Sequence, residues 1–324
     1  MASAFVCHKV STHDQYVNGS YFTLSALVLK ILAFYSFAEG YSGLLIGGSH
    51  SNTAEVLGRR DCKVPNLPCT IDGQPSLIVN NDKKILLCGG TNNLQKCLIL
   101  KNNNWLPHND LNEKRSWASS VTVSKGSFII GGDESPNTWE WLPTGSNSWQ
   151  KGKTLIDSGF RKGCVVQVTD WAVMLIGGSH TKDKIIQLDI RKGKFEEVGK
   201  LNQGRYGHSC ILFRNTIIVS GGEEIYDSPL TSTELIDVEN LTSRTGRDMQ
   251  MARIRHRLIN IHFNNKMTAL AIGGEGYQNG EWHILDSIEA WEPDSKKWIL
   301  LNITLVETRH SFGYLSLPTN LVCP

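Results

Sequence analysis

A short apolar run that stops on a Gly-Gly pair occurs six times in this chain, and it limits the possible folds more than any other feature. The runs are Gly43–Gly48 (GLLIGG), Ile85–Gly90 (ILLCGG), Phe128–Gly132 (FIIGG), Val173–Gly178 (VMLIGG), Thr216–Gly222 (TIIVSGG) and Thr268–Gly274 (TALAIGG). Each has the length and composition of a buried strand, and two glycines in a row permit the positive φ or the close backbone approach of a forced bend. The second glycines stand at 48, 90, 132, 178, 222 and 274, so the repeat advances by 42, 42, 46, 44 and 52 residues.

A period of about 40 to 50 residues holding several short strands is the signature of a β-propeller, because no four-stranded sheet buries both faces until its neighbours close a ring. The expected fold is therefore all-β with six blades. The residues also resemble the kelch repeats over roughly positions 42 to 317. That resemblance rests on the Gly pairs, on an Arg or His upstream of them (Arg161, Arg205 with His208, Arg253 with His256) and on a Trp downstream (Trp105, Trp149, Trp298). It implies an innermost first strand, a second strand ending in Gly-Gly, a third with Glu and an aromatic, and a fourth carrying the Trp. Phe195 stands in for that Trp in the fourth repeat, and the fifth repeat lacks it.

Blade two is expected at 76–79, 85–88, 96–100 and Trp105, and blade three at 117–123, 128–130, 138–142 and Trp149. Blade four follows at 164–168, 171–176, 184–189 and Phe195. Blade five is expected at 208–213, 216–220, 232–237 and within 243–249, and blade six at 258–263, 267–272, 287–291 and 298–301. Blade one has its Gly-Gly strand, then 52–57 and 61–64, but nothing precedes it that resembles a first strand. Residues 308–317 (TRHSFGYLSL) supply one. The ring is expected to close with one carboxy-terminal and three amino-terminal strands, which removes free sheet edges.

Residues 1–38 stand outside the array. Their apolar stretch 21–38, with Ser36 and Ala38 before Glu39, reads as a signal peptide or a signal-anchor. Lys30 inside it and the polar residues before it leave open an extra element packed beside the propeller, or a start site placed too far upstream. Residues 39–324 then form the propeller domain, of a size suited to six blades.

Among eight cysteines, Cys88 and Cys97 fall on the predicted second and third strands of one blade, where antiparallel neighbours can come within the Cα distance a disulfide needs. Cys62 and Cys69 are candidates for a second link across a turn, and Cys164 with Cys210 for a third between first strands of adjacent blades. Buried free thiols are the alternative in a cytosolic protein. With the sequons at Asn240 and Asn302, the favoured reading is a disulfide-bonded glycoprotein that is secreted, the alternatives being anchoring at a membrane or residence in the cytoplasm.

With 33 basic and 31 acidic residues, the net charge of +2 gives no electrostatic footprint for nucleic acid or an anionic membrane surface. The cluster Arg253, Arg255, His256, Arg257 reads first as the opening of blade six, with an anion site as the less favoured alternative. No phosphate loop, zinc spacing or nucleophile elbow occurs. His50 and His180 each follow Gly-Gly-Ser and stand on blades one and four. They are candidates to bind a metal or a ligand across the ring, against the plainer reading of solvated loop residues. No metal or other cofactor is expected.

Two function classes remain. The first is a non-catalytic, monomeric recognition module whose loops after the Gly-Gly bends meet another protein, with Tyr226, Tyr277 and Trp282 on the two longest loops as aromatic anchors. The second is a secreted sugar-modifying enzyme, an oxidase or mutarotase, as the resemblance to kelch-type propellers allows. An intracellular kelch adaptor is a further alternative, although the chain has no room for a BTB domain.

Overall fold

The computed structural model describes residues 41–57, 59, 61–152, 159–263, 266–278 and 280–318. Its regular structure is entirely β, as twenty-five strands. They form six antiparallel blades around an axis, a six-bladed propeller.

Blade 1 is built from β1 (Tyr41–Ile46), β2 (Ala54–Leu57) and β25 (Gly313–Pro318). Blade 2 follows as β3 (Ser76–Val79), β4 (Ile85–Cys88), β5 (Cys97–Lys101) and β6 (Asn104–His108). Blade 3 comprises β7 (Ser119–Val123), β8 (Gly126–Ile130), β9 (Trp139–Pro143) and β10 (Gln150–Lys151), and blade 4 comprises β11 (Cys164–Gln167), β12 (Ala172–Ile176), β13 (Lys184–Asp189) and β14 (Lys194–Lys200). Blade 5 has β15 (Ser209–Phe213), β16 (Thr216–Ser220), β17 (Thr233–Asp237) and β18 (Ser243–Thr245). In blade 6, β19 (Arg257–Phe263), β20 (Lys266–Ile272), β23 (Ser287–Glu292) and β24 (Lys297–Thr304) form the sheet, and a hairpin of β21 (Glu275–Gln278) and β22 (Glu281–Ile284) projects from it.

The ring closes through β25, which pairs antiparallel with β1 from Tyr41↔Pro318 to Ile46↔Gly313. Closure by a carboxy-terminal first strand is as expected, but the expected fourth strand of blade 1 at 61–64 does not form: the segment is turn and coil. Pro65 and Pro68 lack the N–H groups a ladder needs. The segment runs instead along the seam with blade 2, where Val64 and Leu67 are buried and Trp105 Nε1 donates to Pro65 O at 2.8 Å.

The apolar core is divided into six clusters, one between each pair of neighbouring blades. Alternate residues of β1 serve two of them: Leu44 and Ile46 pack toward blade 2 with Leu77 and Leu87, and Leu45 packs toward blade 6 with Ile259 and Leu270. Both faces of each sheet are therefore covered, which explains why the second strands read as unbroken apolar runs. Trp105, Trp149 and Trp298 on outer strands or just before them each seal the seam with the preceding blade. Phe195 does the same, half-buried, for blade 4.

Two circles of backbone hydrogen bonds join the blades. In the outer one the second glycine N–H of each bend donates to the next blade: Gly48 to Ile71, Gly90 to Arg115, Gly132 to Phe160, Gly178 to Arg205, Gly222 to Arg253 and Gly274 to Arg309, all at 2.8 to 3.0 Å. The bends need glycine here, since Gly131 sits at φ 69° and a Cβ on it would stand 1.8 Å from Phe160 O. In the inner circle Trp117 N donates to Gly73 O, Lys162 N to Trp117 O, Gly207 N to Lys162 O, Arg255 N to Gly207 O, Ser311 N to Arg255 O and Gln74 N to Ser311 O, at 2.7 to 3.2 Å. Every residue of this circle has positive φ, between 53° and 67°, although most are not glycine.

Candidate functional site: the face of the Gly-Gly bends

What holds the bends in place is a buried ion pair repeated in four blades. Arg115 pairs with Glu140 at 3.1 Å, Arg205 with Glu234 at 3.0 Å, Arg253 with Glu289 at 3.1 Å and Arg309 with Glu55 at 3.5 Å. Each arginine also donates Nη1 to the carbonyl of the first glycine in its own blade: Gly131, Gly221, Gly273 and Gly47. Each glutamate lies on the third strand and accepts from backbone N–H groups of the segment entering its blade, such as Asn112 and Glu113 on Glu140. A buried charge is tolerable when it is paired and its remaining donors are used, as in blades 3, 5 and 6; in blade 1 Arg309 Nε and Glu55 Oε2 close no hydrogen bond.

Blades 2 and 4 lack the pair, and both halves are replaced together. By register Ile71 and Leu98 occupy the two positions in blade 2, and Phe160 and Ile186 in blade 4; each couple lies within one apolar cluster. Arg161 is thus not the counterpart of Arg205 and Arg253. It stands one residue along, partly exposed, with Nη1 3.2 Å from Asp133 and Nε donating to Ser179. Arg115, which sequence reasoning passed over, fills the role in blade 3.

His208 and His256 are fully buried at blade seams. His256 Nε2 lies 3.0 Å from Ser220 Oγ, and burial with neighbouring arginines pushes its pKa well below the ordinary value. His208 lies near the Ile176 and Arg205 backbone without closing a well-formed hydrogen bond, and burial lowers its pKa to about 3. Arg309 reaches the Gly47 and Thr53 carbonyls of its own blade, and His256 meets the Ser220 side chain of blade 5.

On the axis, Trp117 reaches across the mouth of the ring. Lys162 Nζ lies 5.1 Å and Arg255 Cζ 5.3 Å from its ring centre, both in cation–π range. Arg255 pairs with Glu275 at 2.9 Å, and Glu275 also receives His310 Nδ1 at 2.9 Å. Burial opposes ionisation of Glu275, but His310 and Arg255 hold its carboxyl below the usual range. Lys162 is lowered by burial and by the nearby Arg255 and Arg161, while burial and Glu223 push Tyr206 up to about 12.

Further out, the face carries an exposed aromatic crest. The expected loop 275–286 is a hairpin in which Tyr277 faces Trp282 across the strands, ring centres 5.4 Å apart in an edge arrangement. Trp282 Nε1 donates to Asp227 Oδ1 at 3.3 Å, tying the hairpin to the blade 5 loop that carries Tyr226. Tyr226 is 76% exposed, Ile225 71%, Tyr277 44%, Ile284 41% and Trp282 38%. The three expected anchors are therefore on two loops tied by that hydrogen bond, and the same loops expose two isoleucines that sequence reasoning did not single out.

His50 and His180 are both exposed on short turns; Asp72 lies 3.9 Å from His50 Nδ1. Among the described residues no group of three or more His, Cys, Asp or Glu is placed to hold a metal ion. Disulfides join Cys88 to Cys97, opposite each other on β4 and β5 with Cα atoms 4.2 Å apart, and Cys164 to Cys210, across blades 4 and 5 at 5.8 Å. Cys62 and Cys69 are disulfide-bonded as well. The sequon residues Asn240 and Asn302 are exposed. The expected signal or anchor at 1–38 lies outside the described residues, among which no helix is long and apolar enough to cross a membrane. No family model matches the chain, and no curated protein matches it either.

Proposed function

We propose that this chain is a kelch-type propeller, exported into an oxidising compartment, that recognises another protein without catalysis through the crest of blades 5 and 6. The observation carrying this reading is the crest itself: Ile225, Tyr226, Tyr277, Trp282 and Ile284 are exposed on the blade 5 loop and the blade 6 hairpin, which the Trp282–Asp227 hydrogen bond ties together. Aromatic side chains of this kind dominate interface energies, and exposed apolar groups gathered on two adjoining loops differ from the scattered ones any surface carries. Disulfides joining Cys88 to Cys97 and Cys164 to Cys210 support export, because such bonds persist outside reducing compartments. The repeated Arg–Glu bracket on the Gly-Gly bend and the outer-strand tryptophans support the kelch reading.

The test is a pull-down from extracellular fluid with the full chain, beside Tyr226→Ala, Tyr277→Ala and Trp282→Ala. Loss of about 2 kcal/mol at an anchor weakens capture roughly thirtyfold, while unfolding stays unchanged because the side chains are exposed. A partner whose capture ignores all three substitutions refutes the crest. Bound copper, or sugar turnover lost on changing His50 or His180, refutes the non-catalytic reading.

A further inference from the structure

Five of the six innermost strands begin with a small residue. The position paired with the last residue before the Gly-Gly bend is Gly313, Ser76, Ser119, Cys164 or Ser209, but in blade 6 it is Arg257. The small neighbours leave a cavity of about 40 Å³ on the axis, and all six blades line it, through Tyr314, Gln74, Ser120, Val165, Ser209 and Arg257. Arg257 is only 4% exposed.

Every other arginine buried this deeply has a carboxylate: Arg115, Arg205, Arg253 and Arg309 pair with Glu140, Glu234, Glu289 and Glu55. Among the described residues Arg257 has none. Its Nε donates to Phe312 O at 3.2 Å and its Nη1 to His256 O at 3.4 Å, and its guanidinium lies 5.3 Å from the Tyr314 ring centre. Neutral partners leave the charge itself uncompensated, and arginine does not shed its proton in proteins.

We propose that Arg257 holds a small monovalent inorganic anion, of chloride size, in the cavity on the propeller axis. Such a volume accommodates about three waters, or one such ion with a water or two. Hydroxyl donors are at hand. Ser209 Oγ accepts from Leu258 N, so its own proton is free to point inward, and Ser120 has no partner among the described residues. The Tyr314 hydroxyl stays protonated at neutral pH, since burial raises its pKa despite Arg257. The ion neutralises the Arg257 charge, and its occupancy is linked to the stability of the ring.

The test uses the full chain in chloride and in gluconate, an anion too large to enter, at matched ionic strength. The expected result is a saturable rise in melting temperature with chloride, about 2–4 °C for the wild type and absent in Arg257→Met. Crystals grown in bromide should show an anomalous peak beside the Arg257 guanidinium. A wild type indifferent to chloride, a chloride effect surviving in Arg257→Met, or bromide bound only elsewhere overturns the proposal. Should Arg257→Met not fold, the wild-type bromide map decides.

Discussion

Replacing Glu140 by Leu in blade 3 strips Arg115 of its fully buried carboxylate and leaves it only the partly exposed Glu113, 3.4 Å away, while the guanidinium stays 1% exposed. A buried charge left without its partner costs about 3–5 kcal/mol, and two backbone amides, of Asn112 and Glu113, lose their acceptor at the same time. Arg115→Ile does comparable damage from the other side, since Glu140 is fully buried and Gly131 O and Thr138 O lose a donor. Blades 2 and 4 show what happens when both change together, because Ile71 with Leu98 and Phe160 with Ile186 pack in ordinary apolar clusters. Arg115→Ile combined with Glu140→Leu is therefore expected to cost about 3–5 kcal/mol, close to either single change and well below their sum. The coupling energy is then about 3–5 kcal/mol, at or above the upper end of measured pair terms. The assay is urea unfolding followed by tryptophan fluorescence on all four proteins, with stability compared at equal m values. Additive costs would refute the reasoning, because they would mean that the two groups do not stabilise each other.

Acidification is expected to weaken the fold through His208 and His256. Both have folded-state pKa values below the unfolded one, so their contribution is complete above about pH 6.5 and is lost as pH falls toward about 3 for His208. The unfolding free energy should fall by up to about 1.4 kcal/mol per pH unit per histidine in that window, and a titration series with His208→Gln and His256→Gln checks it; an unchanged slope would contradict the assignment. A chain ending at residue 306 loses β25 and Arg309, leaving β1 unpaired on its inner edge and Glu55 without its guanidinium, and is expected to aggregate on expression. Normal melting of that truncated chain would overturn the closure mechanism. Opening the Cys164–Cys210 bond, which spans 46 residues, should cost about 4 kcal/mol, against about 2.6 kcal/mol for Cys88–Cys97, which spans 9; paired Cys→Ala variants compared by urea midpoint reveal the order.

The blade count and the closing strand were legible because glycine pairs and strand-length apolar runs are local signals repeated six times. The Arg–Glu brackets were only half legible. Counting back from Gly178 finds Arg161, but the hairpin between β11 and β12 is one residue longer than that between β7 and β8, so register places Phe160 at the bracket. The absent fourth strand in blade 1 follows from Pro65 and Pro68, a signal present in the sequence but outweighed by the Asp61–Val64 pattern. The hairpin at 275–284 is hidden for a different reason: the Asn-Gly pair in its sequence lies inside a stretch that reads as a loop. Loop length and aromatic character point to Tyr226 and Trp282 as anchors; that Asp227 clasps Trp282 depends on the angle between blades, which no local pattern encodes.

The inner circle of six hydrogen bonds has a consequence for how this molecule opens. A linear array has end units that touch one neighbour and fray at little cost, so amides near its ends exchange with solvent first. A circle has no end. Releasing any blade here requires breaking the bonds on both of its sides, so local opening costs as much at blade 1, where β25 pairs with β1, as it does opposite. The amides of Gln74, Trp117, Lys162, Gly207, Arg255 and Ser311 should accordingly exchange deuterium at one shared slow rate, set by the rupture of the whole ring.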